Sequence, residues 1–388
     1  MVEGLYIHVP FCANKCPYCD FVSFVSEPSK EYLELLKREL ELYKDLPFDL
    51  KTIYLGGGTP SLYPTKLWRE FFKDLDTRGV KEITMECNPE SYKREDFEGL
   101  LELGINRLSF GVQSFLEKNL RFLGRWHSPK EGIRAILEAK SAGFENLSID
   151  LIYGLPGQTL QDLREELKIV KDLPITHLSA YLLTPYEDTL FGHLWQKGEL
   201  KLPSDEQIEE MFLFLSEELS SMGFEHYEIS NFAKEGYRCA HNLLYWSHRE
   251  FLGLGVSAWS FINKKRFGNY RNLEKYKRAV LQGEKPIEME ESLEGEELLK
   301  DYLFVALRTR DGVPKEVLPN IPDHIRGFFL GEGERVRLSK KGWLLINEIL
   351  LELWDEVVHT LTREVPNLQN HLLLPLRTTC LCGGWGLL

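Results

Sequence analysis

The sequence predicts an α/β protein whose first half forms a parallel sheet with crossover helices, curved into a barrel. Six short runs rich in β-branched and aromatic residues alternate with amphipathic stretches, which is typical of β/α units. Glycine and polar residues recur where the predicted strands end, and in a β/α barrel those ends meet at one rim. The chain of 388 residues is long enough for two or three domains of roughly 150 residues each.

The elements follow one another in a simple order. The predicted strands are Gly4–Val9, Thr52–Leu55, Glu82–Cys87, Arg107–Gly111, Leu147–Ile152 and His177–Leu182. The helices predicted between them, from apolar residues spaced three and four apart, are Glu31–Leu46, Thr65–Leu75, Arg94–Leu103, Lys130–Ala142 and Leu160–Lys171. After these units we expect a helix at 204–222 with Ser204 as its N-cap, and a linker in the acidic stretch 284–297. A helix at Leu298–Arg308, a strand at 334–339 and a helix at Gly342–Leu353 follow in an order that resembles a winged-helix domain.

Composition narrows the classes of function. The 47 basic and 60 acidic residues leave a net charge of −13, so the chain repels nucleic acid and anionic membranes at long range. No apolar run reaches the roughly 18 residues of a spanning helix, and the start does not have the pattern of a signal peptide. We therefore expect a cytoplasmic protein with reduced thiols that does not bind nucleic acid.

Three of the seven cysteines, Cys12, Cys16 and Cys19, lie close together in one short segment. Three such thiolates can hold a metal centre within a loop. A structural zinc site requires four ligands, and no paired CxxC lies nearby to complete one. A [4Fe–4S] cluster held by only three cysteines keeps one iron open for a ligand. A zinc knuckle or three incidental thiols remain the alternative interpretations.

The spacing CxxxCxxC, with Tyr18 before the last cysteine, resembles the cluster loop of the radical S-adenosylmethionine (SAM) superfamily. The resemblance implies a partial (β/α)6 TIM-like barrel and a [4Fe–4S] cluster on the three cysteines. It also implies that the open iron chelates the amino and carboxylate groups of SAM, and that an electron from the cluster can cleave SAM to a 5′-deoxyadenosyl radical.

Motifs at the predicted strand ends resemble the SAM contacts of the same superfamily. The turn GGGTP resembles the motif that meets the methionine amino group, since glycine lets a backbone approach a ligand closely. The resemblance pairs Glu86 with ribose hydroxyls or the amino group, Arg125 with the SAM carboxylate, and Asp150 with the ribose or sulfonium side. Taken singly, each of these residues could instead stabilise the fold. The cofactor contacts implied are Tyr6, Tyr18, Gly57, Gly58, Thr59, Glu86, Gln113, Arg125 and Asp150.

The motifs YIHVPFC, GGGTPS, RLSFGVQSF and DLIYGLPGQT together resemble the oxygen-independent coproporphyrinogen oxidase family, across about residues 2–350. The decarboxylating oxidases of that family (HemN type) usually carry a fourth cysteine where this chain has Phe21, and an N-terminal extension before the cluster loop. Both departures resemble the shorter HemW-type heme chaperones.

A further motif, His241-Asn242-x-x-Tyr245-Trp246, matches the HNxxYW signature of those chaperones. Imidazole is an axial ligand of heme iron and aromatic rings pack on porphyrins, so the resemblance implies His241 as a heme ligand. On chemistry alone, a histidine among aromatic residues is more often a packed core residue. Cys239 is a softer alternative ligand.

We therefore expect four parts: a radical SAM partial barrel in residues 1–190, a flanking segment with the heme motif in 191–290, a smaller α+β, winged-helix-like domain in 291–365, and a tail in 366–388. The tail, which carries Cys380 and Cys382, is predicted to be disordered and receives no function.

The resemblance implies a heme chaperone that transfers heme to acceptor apoproteins and carries a cluster and SAM. A homodimer and transient contact with membrane proteins are further partner predictions. An oxygen-independent coproporphyrinogen III oxidase that uses SAM is the alternative, and a protein whose cluster serves only structure is a third interpretation.

Overall fold

The computed structural model describes residues 1–318 and 320–354. The strands are β1 (Val2–Val9), β2 (Phe11–Cys12), β3 (Phe24–Val25), β4 (Phe48–Gly57), β5 (Glu82–Cys87), β6 (Arg107–Gln113), β7 (Asn146–Tyr153), β8 (His177–Leu182), β9 (Glu225–His226), β10 (Asn231–Ala233), β11 (Phe251–Leu254), β12 (Trp259–Ile262), β13 (Lys265–Asn269), β14 (Ile287–Ser292), β15 (Val313–Pro314), β16 (Phe329–Glu332) and β17 (Arg335–Leu338). The α-helices are α1 (Lys30–Glu41), α2 (Thr65–Phe72), α3 (Arg94–Glu102), α4 (Glu117–Phe122), α5 (Pro129–Ala142), α6 (Leu160–Asp172), α7 (Leu190–Gln196), α8 (Asp205–Ser221), α9 (Ala240–Trp246), α10 (Leu273–Leu281), α11 (Gly295–Ala306), α12 (Lys340–Leu344) and α13 (Ile346–Leu353).

The six predicted strands form the centre of one large sheet. Strands β1, β4, β5, β6, β7 and β8 lie side by side in that order, and each pairs with the next in parallel. Each predicted strand lies within the observed one. Helices cross between them, and their buried faces join the sheet in one apolar core. The α/β prediction is confirmed, with a large, mainly parallel sheet that is consistent with a partial barrel.

Further strands extend both edges of this parallel centre: those beyond β8 are antiparallel, whereas beyond β1 the strand β11 pairs in parallel and β12 to β14 follow antiparallel. β10 and β9 continue the sheet beyond β8, and β11 to β14 continue it beyond β1. Because both outer parallel strands have such neighbours, β8 does not pair with β1 among the described residues. The parallel centre is therefore an open arc, and the carboxyl ends of its strands face one shared space.

The acidic stretch 284–297 was the predicted linker, and this prediction is wrong. It contains β14, which pairs antiparallel with β13, and the Lys265 ammonium lies 2.6 Å from the Glu290 carboxylate across the pair. Most side chains of β14 are exposed, so its glutamates remain in contact with water. Because β14 lies at the edge of the sheet, these charges also protect it from pairing with another chain. The predicted domain boundary at 290/291 falls inside this strand.

The last described part contains α11, α12 and α13 with a three-stranded sheet in the order β15-β17-β16. The Trp343 indole N–H donates to the Leu307 carbonyl at 2.9 Å, which ties the later helices to the end of α11. Buried residues of this part belong to the same apolar cluster as the barrel core. The division into four parts stays a prediction, and the tail 366–388 with Cys380 and Cys382 lies outside the described residues. Within residues 1–318 and 320–354, no helix has the length and apolar character needed to cross a membrane.

Candidate functional site

A cavity of about 1230 Å³, part of it open to solvent, lies at the carboxyl ends of the parallel strands. It brings together all but two of the predicted site residues. Those that line it are Cys12, Cys16, Tyr18, Cys19, Gly57, Gly58, Thr59, Glu86, Gln113, Arg125 and Asp150. The glycine and polar residues at the strand ends therefore meet in one place, as the barrel prediction requires. The two that do not line the cavity are Tyr6 and His241.

The glycine turn after β4 packs directly on the cysteine loop. A Cβ on Gly58 would lie 2.7 Å from the Phe11 carbonyl oxygen and 3.0 Å from the Cys12 sulfur, so no larger residue fits there. The next residue, Thr59, donates its hydroxyl hydrogen to the Cys12 sulfur at 3.6 Å. The turn thus holds the first cysteine against the cavity while leaving its own backbone close to a ligand.

The thiols of Cys12, Cys16 and Cys19 all line this cavity. Each iron of a [4Fe–4S] cluster binds its own thiolate, so three cysteines leave one iron open to a ligand in the cavity. Burial raises the pKa of Cys19 to about 12, so bound iron would be what keeps that sulfur deprotonated. The donor set at this cavity therefore fits a cluster on Cys12, Cys16 and Cys19.

Arg125 joins the cysteine loop to two strand ends. Its Nη1 donates to the Cys16 sulfur at 3.5 Å, and its Nη2 donates to Asn88 Oδ1 at 2.8 Å and to the Gly111 carbonyl at 2.9 Å. Its buried Nε has no hydrogen-bond partner among the described residues. Such a fixed guanidinium with a spare donor can bind a carboxylate.

Asn88 is a site residue that the sequence analysis missed. Besides its bond to Arg125, its Nδ2 donates to Thr59 Oγ1 at 3.5 Å, so it links β5 to the glycine turn. Its position directly after β5, two residues beyond Glu86, was the available signal, because residues that follow parallel strands gather at one rim.

Two half-buried carboxyl groups line the cavity from β5 and β7. Glu86 accepts from the Tyr54 hydroxyl at 2.8 Å and from the Gly57 N–H at 3.1 Å, and burial together with nearby Asp150 raises its pKa to about 7. Burial also raises the pKa of Asp150 to about 6, against the opposing effect of bonds from Ser179 and Ser109. Two such groups close together favour a cationic ligand.

Gln113 reaches the cavity from an irregular end of β6. Its φ of 66° lies in the left-handed region, and the register of β6 against β7 shifts between Phe110 and Gln113. A backbone in this region is strained for a residue with a side chain, and such strain is concentrated at functional sites. A Cβ on Gly111 would lie 3.0 Å from Gln113 Nε2, so glycine leaves room for this side chain.

The structure places Tyr6 within β1, buried, with its hydroxyl 3.1 Å from His8 Nδ1. It does not line the cavity, and its predicted contact with the cofactor stays a prediction. Its ring centre lies 6.2 Å from that of Tyr54, so it packs behind the residue that bonds Glu86.

His241 lies in the first turn of α9, where only 1% of it is exposed. Its Nδ1 is 2.6 Å from the Thr52 hydroxyl, its Nε2 is 2.7 Å from the Tyr245 hydroxyl, and its ring stacks on that of Tyr54. Burial lowers its pKa to about 3, so the imidazole is neutral. Both ring nitrogens are therefore bonded inside the protein, as in a packed core histidine. The predicted role as a heme ligand requires these bonds to break.

Comparisons with known proteins identify the fold and the family of this chain. Residues 6–170 match the family model of the radical SAM superfamily. The structure is similar to that of coproporphyrinogen III oxidase (HemN) from Escherichia coli, with a TM-score of 0.76 and 23% identity over 92% of this chain and 90% of that one, which shows a common fold. The fold and the site define a radical SAM protein.

Relatives with similar sequences show which family of radical SAM proteins this is. The chain is 35% identical to the heme chaperone HemW of Bacillus subtilis over 90% of this chain and 98% of the relative. It is 32% identical to the HemW of Escherichia coli over 89% of this chain and 97% of the relative. The chain belongs to the HemW heme chaperone family.

Proposed function

We propose that this protein binds heme and transfers it to acceptor proteins, while its strand-end cavity holds a [4Fe–4S] cluster and SAM. The observation that carries the proposal is the gathering of cysteines, glycine turn, arginine and carboxyls in one cavity. It occurs in a chain that aligns with heme chaperones over nearly their whole length.

The residues of the cavity have separate roles in this proposal. Cys12, Cys16 and Cys19 hold the cluster. The Nε of Arg125, which has no hydrogen-bond partner among the described residues, binds the SAM carboxylate. Glu86 and Asp150 supply negative charge for the cationic ammonium and sulfonium groups. When bound, the cluster and SAM supply one-electron chemistry.

Heme binding is the direct test of the proposal. We expect titration of the anaerobically reconstituted protein to saturate near one heme per chain in the Soret absorbance. Failure to saturate would contradict the chaperone function. His241 is the ligand candidate that the sequence motif supplies. If it binds the iron, His241→Ala weakens heme binding while leaving the cluster content unchanged.

A second candidate function, the coproporphyrinogen III oxidase, is favoured by one observation. The cavity contains nearly all the residues predicted to bind SAM and the cluster, so the parts needed to generate a radical lie together. Incubation with coproporphyrinogen III, SAM and a reductant tests it. Decarboxylated product would support the oxidase, and an intact substrate with saturable heme binding would support the chaperone.

SAM affinity should increase with pH across the neutral range. Because the pKa of Glu86 is raised to about 7, its carboxyl is mostly protonated at pH 6 and attracts the cationic ligand less than at pH 8. If SAM lowers the pKa of Glu86 by one unit on binding, the affinity for SAM changes roughly tenfold across this pH range. Equilibrium dialysis of SAM with the reconstituted protein between pH 5.5 and 8 would measure this rise. Glu86→Gln should flatten it, and the exposed control Glu117→Gln should not; a rise that Glu86→Gln leaves intact would rule out this carboxyl as the cause.

The proposal extends to a cytoplasmic setting, a homodimer and transient contact with membrane proteins. Sedimentation of the reconstituted protein with and without SAM would measure the oligomeric state. Cell fractionation would show whether the chain is recovered with the membranes or away from them.

A further inference from the structure

A second cleft lies at the other end of the HNxxYW motif. It has a volume of about 600 Å³, part of it open to solvent, and lies between the end of α9, strands β11 to β13 and helix α11. Its walls combine aromatic rings with guanidinium groups. They include Tyr245, Trp246, His248, Phe261, Arg266 and Arg308.

The two halves of the motif therefore face different surroundings. His241 contacts Thr52 and Tyr54 in the core beneath the barrel. Tyr245 and Trp246, near the end of the same helix, line the cleft. In the described conformation, the histidine positioned at this cleft is His248, two residues after α9 ends.

His248 is built as a constrained, neutral imidazole. Its φ of 62° lies in the left-handed region, and its ring meets that of Phe261 edge to face at 4.4 Å between centres. Its Nε2 lies 3.4 Å from the Asp301 carboxyl, and its buried Nδ1 has no hydrogen-bond partner among the described residues. Burial lowers the pKa of His248, so the nitrogen lone pair is available. With the Asp301 carboxyl beside Nε2, Nδ1 is the ring nitrogen that remains to bind a metal.

Positive charge lies beside this histidine. Arg266 lies 3.6 Å from Asp301. Arg308 is buried, and its Nη1 and Nη2 donate to the Phe304 carbonyl and to Asn347 Oδ1. Arg266 is therefore the guanidinium positioned to meet an anion in the cleft. Guanidinium groups bind carboxylates in preference to neutral acceptors. The cleft therefore suits a planar, apolar ligand that carries carboxylates.

We infer that this cleft binds the heme of the proposed function, with His248 on the iron, Tyr245 and Trp246 against the porphyrin, and Arg266 near the propionates. The inference rests on the proposed function and deepens it. It moves the iron ligand from His241, whose nitrogens are both bonded, to a histidine with one free nitrogen.

Heme titrations of matched variants test the inference. In the anaerobically reconstituted full chain, His248→Ala should weaken heme binding at least tenfold and shift the Soret band. His241→Ala should have the heme affinity and the Soret band of the unchanged protein. The control His193→Ala removes a histidine on α7, whose ring Nδ1 lies 2.7 Å from the Thr189 carbonyl. It should leave both readouts unchanged. Cluster absorbance, measured on every variant, reports that the chain remains folded.

Rescue separates a lost ligand from a damaged fold. Adding imidazole to His248→Gly should restore the Soret band of the unchanged protein, because the free ring can replace the missing side chain. Loss of binding in His241→Ala with retention in His248→Ala would overturn the inference and leave the proposed function intact. Absence of rescue in a His248→Gly protein with a full cluster would also overturn it. Absence of heme binding by the unchanged protein would instead contradict the proposed function itself.

Discussion

Replacing any one of Cys12, Cys16 and Cys19 with alanine should abolish the broad iron–sulfur absorbance of the anaerobically reconstituted protein. The three thiols line one cavity, and within residues 1–318 and 320–354 the one other cysteine that lines it is Cys87, on β5. A cluster that already has only three protein ligands keeps two after the change, which is too few to retain it. Iron and sulfide content per chain, together with the absorbance, measure the outcome.

The control for this experiment is Cys239→Ala. Its thiol is buried at the start of α9, where the sulfur lies 3.6 Å from Glu82 Oε1, and it does not line the cavity. We expect this variant to keep the full iron content. If all three loop variants also kept it, the assignment of the cluster to this loop, and the radical SAM character with it, would be wrong.

The largest loss of stability should follow from Glu82→Ala. The Glu82 carboxylate, 6% exposed on β5, accepts from the Ala240 N–H at 2.9 Å and from the His241 N–H at 3.1 Å. The residue before α9, Cys239, makes no side-chain cap to the helix, so Glu82 satisfies its first donors from outside the helix. The buried guanidinium of Arg107 is nearby: burial lowers its pKa, but Cys239 and Glu82 raise it.

Removing this carboxylate leaves unpaired donors and a less compensated buried cation. Each buried donor left unpaired costs about 1–3 kcal/mol in the free energy of unfolding. Thermal unfolding followed by circular dichroism should show a clear decrease in the midpoint. The midpoint of Glu82→Gln, which keeps one acceptor oxygen, should lie between those of the unchanged protein and Glu82→Ala. The control Glu98→Ala removes an exposed carboxylate on α3 and should change the midpoint little. Equal midpoints for Glu82→Ala and Glu98→Ala would show that α9 does not depend on this carboxylate.

The sequence could predict the parallel centre because both faces of those strands are covered. Buried parallel strands favour apolar, aromatic and β-branched runs, as in Thr52–Leu55, and such runs are visible without knowing their partners. The outer strand β14 has no such signal. Its residues are mostly exposed and acidic, so composition predicted a linker while backbone pairing with β13 made a strand.

The candidate site likewise contains some residues whose positions the sequence could predict and others whose surroundings it could not. Polar residues in the carboxyl-terminal parts of strands, such as Glu86 and Asp150, could be predicted to meet because all parallel strands end at one rim. The surroundings of His241 could not be predicted, since Thr52 and Tyr54 are far from it in the chain and only the packing of α9 on β4 brings them together. The contacts of Arg125 with Asn88 and Cys16 depend on tertiary structure in the same way.

The position of β1 has a consequence for the order in which the chain folds. β1 lies between β4, which follows it after one helix, and β11, which is paired with it through Gly4 and Phe251. During synthesis on a ribosome, β4 emerges early. The loop closed by the pairing of β4 with β1 is short compared with the whole chain, so the entropic cost of closing it is small. The pairing with β11 closes a loop of most of the chain and is available only late in synthesis. The cofactor rim can therefore assemble from nascent β/α units, whereas α9 and the cleft beside it are added last, and the edge of β1 stays open for pairing in the meantime.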